Sequence, residues 1–281
     1  RLKFYVMLCC FFIPSDSIIS MRIVGGRRAE AHSFPWTVAI MKYGRAHCGG
    51  ALITSKHILS AGHCFQWDNI KTLKVLVGLD RLDDLSNVET RNISSVVIHE
   101  QFTSTAVRDE NDIAIATLDV PVKFGDTIVP ICLPEPGEDF TNSVGTIVGW
   151  GRMGSSKSAS NVLLKASLRI LSNEECMSSQ LAQHLKPTMM CAFTKGKDGC
   201  QGDSGGPLVI FKPEGKYVQA GKCVFLLSRR IKYIPTYCIP TKYSVPLCIY
   251  LKTGEDTYLC HSIIDLVFLP IRCYNFKVYA L

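Results

Sequence analysis

Short apolar runs recur between Ile23 and about Gly221, and turn-favouring residues separate them. Short apolar runs bounded by turn residues, some with a polar residue in alternation such as Thr37 and Lys74, are the pattern of β-strands. Repeated short strands of this kind are typical of an antiparallel barrel or sandwich, and they predict an all-β fold. The runs lie at 36–40, 73–77, 96–98, 113–115, 146–148 and 208–210.

One stretch of this segment predicts a helix instead. Glu175 follows Ser172 by three residues, which is the spacing of a capping box, and a short helix is expected between Ser172 and Leu185. The stretch from Pro134 to Gly137 is the one candidate for an internal linker. No internal repeat is found along the chain.

The composition changes abruptly after Gly221. Residues 222–281 contain one of the 21 glycines, seven of the ten tyrosines and five of the thirteen cysteines. No spacing in this tail persists long enough to predict a strand or an amphipathic helix. Lys, Arg, Asp and Pro interrupt its apolar runs, so we do not expect the tail to be a membrane anchor.

The formal charge of +7 comes from the two ends of the chain. Residues 23–221 contain twenty basic and twenty acidic side chains, so the middle is neutral. A nucleic-acid-binding protein needs a basic surface against phosphate. We therefore expect no nucleic-acid partner.

The cysteines and the first residues favour a secreted protein. Thirteen cysteines without a Cys-x-x-Cys pair indicate an oxidising compartment. Arg1 and Lys3 precede an apolar run at 4–13 and then small polar residues, as in a signal peptide, although Cys9 to Phe12 could also be translated intron. Asn92 begins an Asn-Ile-Ser sequon, which predicts glycosylation.

Three residues have the chemistry that peptide-bond hydrolysis without a metal requires. Ser204 lies between glycines, which permit a tight turn that exposes a nucleophilic hydroxyl beside backbone N–H groups. His63 precedes Cys64 and is a candidate base, while Asp112 stands at the start of an apolar strand and could orient an imidazole. Taken singly, they are equally compatible with a Gly-rich turn, an ordinary histidine and a strand cap.

Together these residues and their surroundings resemble the chymotrypsin/trypsin family. The resemblance covers 23–221 and implies two antiparallel six-stranded β-barrels with the active site between them. The matching motifs are Ile23-Val24-Gly25-Gly26, Ser33-Phe34-Pro35-Trp36, Cys48-Gly49-Gly50, Ser60-Ala61-Gly62-His63-Cys64, Asn111-Asp112-Ile113-Ala114, Ile131-Cys132-Leu133-Pro134, Gly149-Trp150-Gly151 and Asp198-Gly199-Cys200-Gln201-Gly202-Asp203-Ser204-Gly205-Gly206-Pro207.

The resemblance assigns the catalytic roles. His63 takes the proton of Ser204 and returns it to the leaving amine, while Asp112 holds the imidazole in the required tautomer. The backbone N–H groups of Gly202 and Ser204 form the oxyanion hole. His47 and His57 match no functional position of the family.

The family pattern also implies activation and specificity. Cleavage after Arg22 frees the ammonium of Ile23, which pairs with Asp203 and orders the oxyanion hole. Asp198 and Gln201 fall at substrate-binding positions, and a carboxylate at Asp198 selects Arg or Lys.

Two disulfides follow from the same resemblance, Cys48–Cys64 and Cys176–Cys191. Each closes a loop of about 16 residues and contributes on the order of 3 kcal/mol. Cys132 and Cys200 have no partner that the sequence indicates.

No metal or other cofactor is expected. Leu79 stands where a calcium-binding member of the family has an acid. Asp83 and Asp84 alone do not supply the oxygen ligands that Ca²⁺ requires.

The resemblance stops at Gly221. Family members continue with a Ser-Trp-Gly strand, a cysteine, the second wall of the substrate pocket and a C-terminal helix. Residues 222–281 lack these features, so we expect the second barrel to be incomplete. The tripeptide at 221–223 is compatible with a splice-donor sequence, and the hypothesis is that 222–281 is translated intron.

The sequence thus predicts a signal-like and pro-segment at 1–22, a first barrel at 23–130, an incomplete second barrel at 131–221 and an unrelated tail. The predicted function is a secreted serine endopeptidase zymogen that cleaves after Arg or Lys. Its expected partners are protein substrates, an activating tryptic protease and protease inhibitors, with no membrane anchor. The alternative is a catalytically inactive homologue that acts as a binding or regulatory module.

Overall fold

The computed structural model describes residues 26–105, 109–135, 137–151, 160–178, 186, 189–194, 204–224, 236–240, 249–252 and 258–261. Side chains are described up to Lys222, and only the backbone is described after it. The described residues are nearly all in strands and the turns between them, which confirms the predicted all-β fold.

The first half of the chain forms a closed six-stranded barrel with the strand order β2-β3-β4-β9-β6-β5. Every pairing in it is antiparallel, and β5 returns to pair with β2. Two short strands, β7 and β8, pair outside the barrel. The strands are β2 Thr37–Lys42, β3 Arg45–Leu52, β4 His57–Ser60, β5 Leu73–Val77, β6 Glu89–Ile98, β7 Thr103–Ser104, β8 Asp109–Glu110 and β9 Ala114–Leu118, preceded by β1 Arg27–Arg28.

The remaining strands form a second sheet, which β1 joins by pairing with β11. Its order is β1-β11-β10-β13-β14-β15-β12, and β11 also pairs with β12, so the pairings of β10 to β15 close on themselves. These strands are β10 Val144–Gly149, β11 Leu164–Ile170, β12 Met190–Phe193, β13 Pro207–Phe211, β14 Tyr217–Val224 and β15 Thr236–Pro240. A separate hairpin consists of β16 Ile249–Lys252 and β17 Tyr258–His261.

The strand β15 comes from the segment interpreted as an unrelated tail. It pairs with β14 on one side and with β12 on the other. Strand β14 itself continues three residues past Gly221. The backbone after Gly221 therefore contributes to the second sheet, a contribution that the composition of the tail did not indicate.

The predicted capping box is present. The one α-helix of the described residues, α1, spans Asn173–Met177. The side chain of Ser172 accepts a hydrogen bond from the backbone N–H of Glu175, and the Glu175 carboxylate accepts one from the backbone N–H of Ser172. Residues 179–185 of the predicted helix lie outside the described residues.

The apolar core runs from the first barrel into the second sheet. Strands β2 and β5 bury most of their side chains, including all their apolar ones except Met41, which is half-buried. Val148, Leu163 and Val209, which lie in or beside strands of the second sheet, pack in the same cluster. The indole N–H of Trp150 donates to the carbonyl of Asp80 (3.1 Å), which adds a polar contact between the two halves. The site described next lies where the two halves meet.

Candidate active site

His63 is held by a short helix and a disulfide. It lies in a 3₁₀ turn, Gly62–Cys64, directly after β4. The disulfide from Cys64 to Cys48 ties this turn to β3. Its side chain is 27% exposed, so the imidazole faces solvent on one side while its backbone is fixed on the other.

Asp112 lies beneath this imidazole. The strand begins at Ala114 rather than at Asn111, and Asn111 has φ of 49°, a left-handed conformation that asparagine tolerates. The resulting turn directs the carboxylate of Asp112 inward, where it is 0% exposed. Its Oδ1 accepts from the backbone N–H of His63 (2.8 Å), and its Oδ2 accepts from Nδ1–H of the ring (2.7 Å).

This pair of hydrogen bonds fixes the chemistry of the imidazole. A carboxylate accepts hydrogen bonds and does not donate them, so Nδ1 of His63 carries the proton. The lone pair of the neutral ring is then on Nε2, the atom available to take a proton. Gly62 permits this approach, because a Cβ atom there would lie 3.2 Å from Asp112 Oδ1 and 2.9 Å from Ile98.

Ser204 comes from the second half of the chain, three residues before β13. Its carbonyl accepts a hydrogen bond from the backbone N–H of Gly49 in β3 (2.9 Å). The same carbonyl lies 3.8 Å from Sγ of Cys64, and that sulfur lies 3.7 Å from Nε2 of His63. The structure therefore brings Ser204, His63 and Asp112 to one place, at the Cys48–Cys64 disulfide.

The residue after Ser204 allows this close contact. Gly205 has φ of 82°, and a Cβ atom there would lie 2.7 Å from the carbonyl oxygen of Gly49 and still closer to Oγ of Ser60. That hydroxyl already donates to the Gly49 carbonyl (2.7 Å). No side chain fits between these groups.

Gly205→Ala is therefore expected to lower the free energy of unfolding by at least about 3 kcal/mol, because backbone strain and overpacking act together. Gly44→Ala is the matched control, since Gly44 has φ of 75° but nothing within 4 Å of its Cβ position. It should cost about 1 kcal/mol. Urea unfolding of both variants measures the difference, and equal losses would contradict the packing argument.

A cation completes the surroundings of Asp112. The ammonium of Lys222 lies 3.1 Å from Oδ2, the oxygen that also accepts from His63, and the side chain of Lys222 is 0% exposed. Burial alone raises the pKa of the Asp112 carboxyl. The Lys222 charge and the hydrogen bonds from His63 outweigh burial, so the pKa of Asp112 lies well below its ordinary value.

Comparison with known proteins gives the family of this site. The family model described as Trypsin matches residues 23–222 of the sequence. The chain belongs to the trypsin family. It contains a trypsin-like serine protease domain, and the resemblance drawn from the motifs is confirmed.

Relatives within the trypsin family bear protease names. The chain is 34% identical to the serine protease filzig of Drosophila melanogaster, over 81% of this chain and 14% of filzig. It is 31% identical to hypodermin-A of Hypoderma lineatum, over 74% of this chain and 84% of that protein. It is 33% identical to the clotting factor G beta subunit of Tachypleus tridentatus, over 73% of this chain and 69% of that subunit. The chain spans less than half the length of several relatives, among them filzig, ovochymase-2 and transmembrane protease serine 11C.

A second carboxylate, Asp109 of β8, approaches His63 and was not predicted. Its Oδ2 lies 3.9 Å from Nδ1 of the ring, and its side chain is 21% exposed. His63, Asp109 and Asp112 each offer a ligand atom within 4.8 Å of the others, a spacing that a metal ion could use. We assign no metal to them, because the Lys222 ammonium on Asp112 would repel a cation.

The two disulfides implied by the resemblance, Cys48–Cys64 and Cys176–Cys191, are both present. Cys132 is disulfide-bonded as well.

Asn92 lies exposed in β6, where its side chain donates to Asp119 and accepts from Lys74. Its glycosylation remains a prediction.

Leu79, Asp83 and Asp84, which stand where some family members bind calcium, have other contacts here. Leu79 is buried, Asp83 pairs with Arg81 (2.8 Å), and Asp84 accepts from Ser86. The two histidines that match no functional position also have structural contacts. His47 contacts the carbonyl of Cys64 and Asp68, and His57 bonds to Thr54.

Several predicted site residues lie outside the described residues. They are the activation residues, the oxyanion glycine and the two substrate-binding positions: Arg22, Ile23, Asp203, Gly202, Asp198 and Gln201. Their roles remain predictions. None of the helices in the described parts of the chain is long and apolar enough to cross a membrane.

Proposed function

We propose that the chain is a secreted zymogen whose activated form hydrolyses peptide bonds after Arg or Lys. The observation that carries the proposal is the hydrogen bond between Nδ1 of His63 and buried Asp112 (2.7 Å), with the carbonyl of Ser204 bonded to Gly49 beside the Cys48–Cys64 disulfide. This arrangement leaves Nε2 as the proton acceptor, as a serine nucleophile requires.

In the proposed reaction, Nε2 of His63 takes the Oγ proton as Ser204 attacks the substrate carbonyl. The N–H groups of Gly202 and Ser204 stabilise the oxyanion. His63 then gives the proton to the leaving amine, and an acyl-enzyme ester remains on Ser204. Water attacks the ester by the same steps in reverse, which releases the acid and restores the hydroxyl.

Activation and specificity follow from the family pattern. Cleavage after Arg22 would free the ammonium of Ile23 to pair with Asp203. Asp198, with Gln201 nearby in sequence, would select substrates with Arg or Lys before the scissile bond. An activating tryptic protease, protein substrates and protease inhibitors are the corresponding partners.

The names of relatives support an extracellular site of action. One is a venom serine protease of Bombus ignitus, 34% identical, and another is a clotting factor subunit. The disulfides agree with an oxidising compartment.

A serine-directed phosphonate probe tests the proposal. The full chain cleaved after Arg22 should be labelled at Ser204 by a probe with an Arg side chain, and Ser204→Ala should abolish labelling. His63→Ala should slow it by at least about 10³-fold, because the base is lost. Absence of labelling in the folded, cleaved chain would instead favour an inactive homologue that acts as a binding module. A probe with a Phe side chain is the specificity control.

A further inference from the structure

Lys222 is a buried cation on the working oxygen of the site. Its ammonium lies 3.1 Å from Oδ2 of Asp112, and the ring N–H of His63 lies 2.7 Å from the same oxygen. The side chains of Lys222 and Asp112 are both 0% exposed. The family match extends to residue 222, so this lysine belongs to the matched segment.

The position of this charge matters because of what Asp112 does during catalysis. When His63 takes the proton of Ser204 it becomes an imidazolium, and the negative carboxylate stabilises that cation. A permanent ammonium on the same oxygen neutralises much of the negative charge. The side chains of Lys222 and Asp112 are both fully buried, so the ammonium and the imidazolium would repel each other with little screening.

One other charged group near His63, Asp109, has the opposite effect and stabilises the imidazolium. Asp109 lies 3.9 Å from Nδ1 and favours the imidazolium, but its side chain is 21% exposed and therefore screened by water. The neighbouring Cys48–Cys64 disulfide does not titrate. Among these charged residues around His63, Lys222 is the buried cation, and it acts on the ring through Asp112.

We propose that Lys222 is a positioning residue that limits the strength of His63 as a base. It holds the Asp112 carboxylate in place and disfavours the imidazolium that forms during proton transfer. The inference rests on the proposed function, because it concerns the same proton transfer. Lys222 thus lowers the catalytic rate and extends activity to lower pH.

The test compares three substitutions in the full chain cleaved after Arg22. Lys222→Met removes the charge at similar length, Lys222→Gln removes the charge and keeps a donor, and Lys222→Arg keeps the charge. Lys212→Met is the matched control, because Lys212 directly follows β13 and pairs with Glu138 rather than with a residue of the triad. The pH dependence of kcat/KM is measured for each with an Arg-containing peptide amide.

In Lys222→Met and Lys222→Gln, the acidic limb of the kcat/KM profile is expected to shift to higher pH by about one unit. This shift corresponds to a tenfold rise in the proton affinity of His63. Their plateau should rise severalfold, because a stronger base transfers the proton more readily. Lys222→Arg keeps the charge and should leave the acidic limb at its wild-type pH, whatever its plateau, and Lys212→Met should reproduce the wild-type profile. A merely structural lysine would lower the plateau and leave the limb in place, and that outcome would overturn the proposal.

A second measurement separates this inference from the proposed function. The ring signal of His63 is followed by NMR against pH in the Ser204→Ala background, with and without Lys222→Gln. The pH of its transition should rise by about one unit in the uncharged variant. If no chain shows turnover that depends on Ser204, the proposed function fails, and the NMR transition still decides the role of Lys222. An unchanged transition refutes the inference even if the protease is active.

Discussion

Asp112→Asn is expected to reduce kcat/KM by about 10⁴-fold. The equivalent substitution in a trypsin-like protease lowers turnover by about this factor. An amide has one acceptor oxygen, whereas Asp112 accepts from the backbone N–H of His63 at Oδ1 and from its ring N–H at Oδ2. Either orientation of the amide places an NH₂ group against a donor. With the NH₂ group against the ring, Nδ1 becomes the acceptor and Nε2 no longer accepts the proton of Ser204; with the NH₂ group against the backbone N–H, the turn that holds the ring is displaced.

Asp109→Asn is the control for this prediction. Asp109 is the other carboxylate near the ring, but it is 3.9 Å away and partly exposed. Its substitution should change kcat/KM by less than about tenfold, because an exposed charge pair contributes little. Steady-state rates with an Arg-containing peptide amide distinguish the two. Equal losses in both variants would mean that Asp112 has no special role in orienting His63.

The second large effect concerns folding. Asp112→Asn removes the carboxylate charge that the buried ammonium of Lys222 contacts, and it should lower the free energy of unfolding by about 3–5 kcal/mol. Adding Lys222→Met to that variant should recover at least about 2 kcal/mol, because a buried charge that no longer faces a carboxylate on Asp112 is removed. Urea unfolding in the Ser204→Ala background measures these values without self-cleavage.

The control for this cycle is the pair between Lys212 and Glu138, whose side chains are 22% and 15% exposed. Removing Lys212 should cost no more than about 1 kcal/mol, since water still reaches the pair. If Asp112→Asn were no more costly than Lys212→Met, Lys222 would not be a buried charge that depends on Asp112.

The same pair predicts how stability depends on pH. The pKa of Asp112 is lower in the folded protein than in the unfolded chain, where it is about 4. Its stabilising contribution is therefore complete above about pH 4 and is lost as the pH falls further towards the folded value. The Asp112→Asn variant should show a flatter loss of stability in acid than the parent chain.

Local patterns were enough to predict much of this fold. Each of the six apolar runs overlaps a strand, because a short apolar run between turn residues favours a buried strand and can be read from neighbouring residues. The capping box of Ser172 and Glu175 is visible for the same reason. The sites that the family motifs identified on the described part of the chain, His63, Asp112 and Ser204, meet at one disulfide.

Long-range contacts were beyond the reach of such patterns. Lys222 lies 110 residues from Asp112, and it is the first residue of a segment whose composition suggested an unrelated tail. No periodicity marks it as buried, because its partner is a single distant carboxylate. The approach of Asp109 to His63 likewise depends on how β8 folds back. The sequence of β15 does not alternate, so it did not predict a strand.

The distribution of the site along the chain also sets an order of assembly. His63 and Asp112 belong to the first barrel, whose last strand ends at Leu118, so this barrel is synthesised before Ser204. During that interval Asp112 has its hydrogen bonds to His63 but not its cation. The counter-charge arrives only when β14 docks with Lys222. The ion pair between Asp112 and Lys222 thus forms only when the two halves dock, and acid that protonates Asp112 weakens that step.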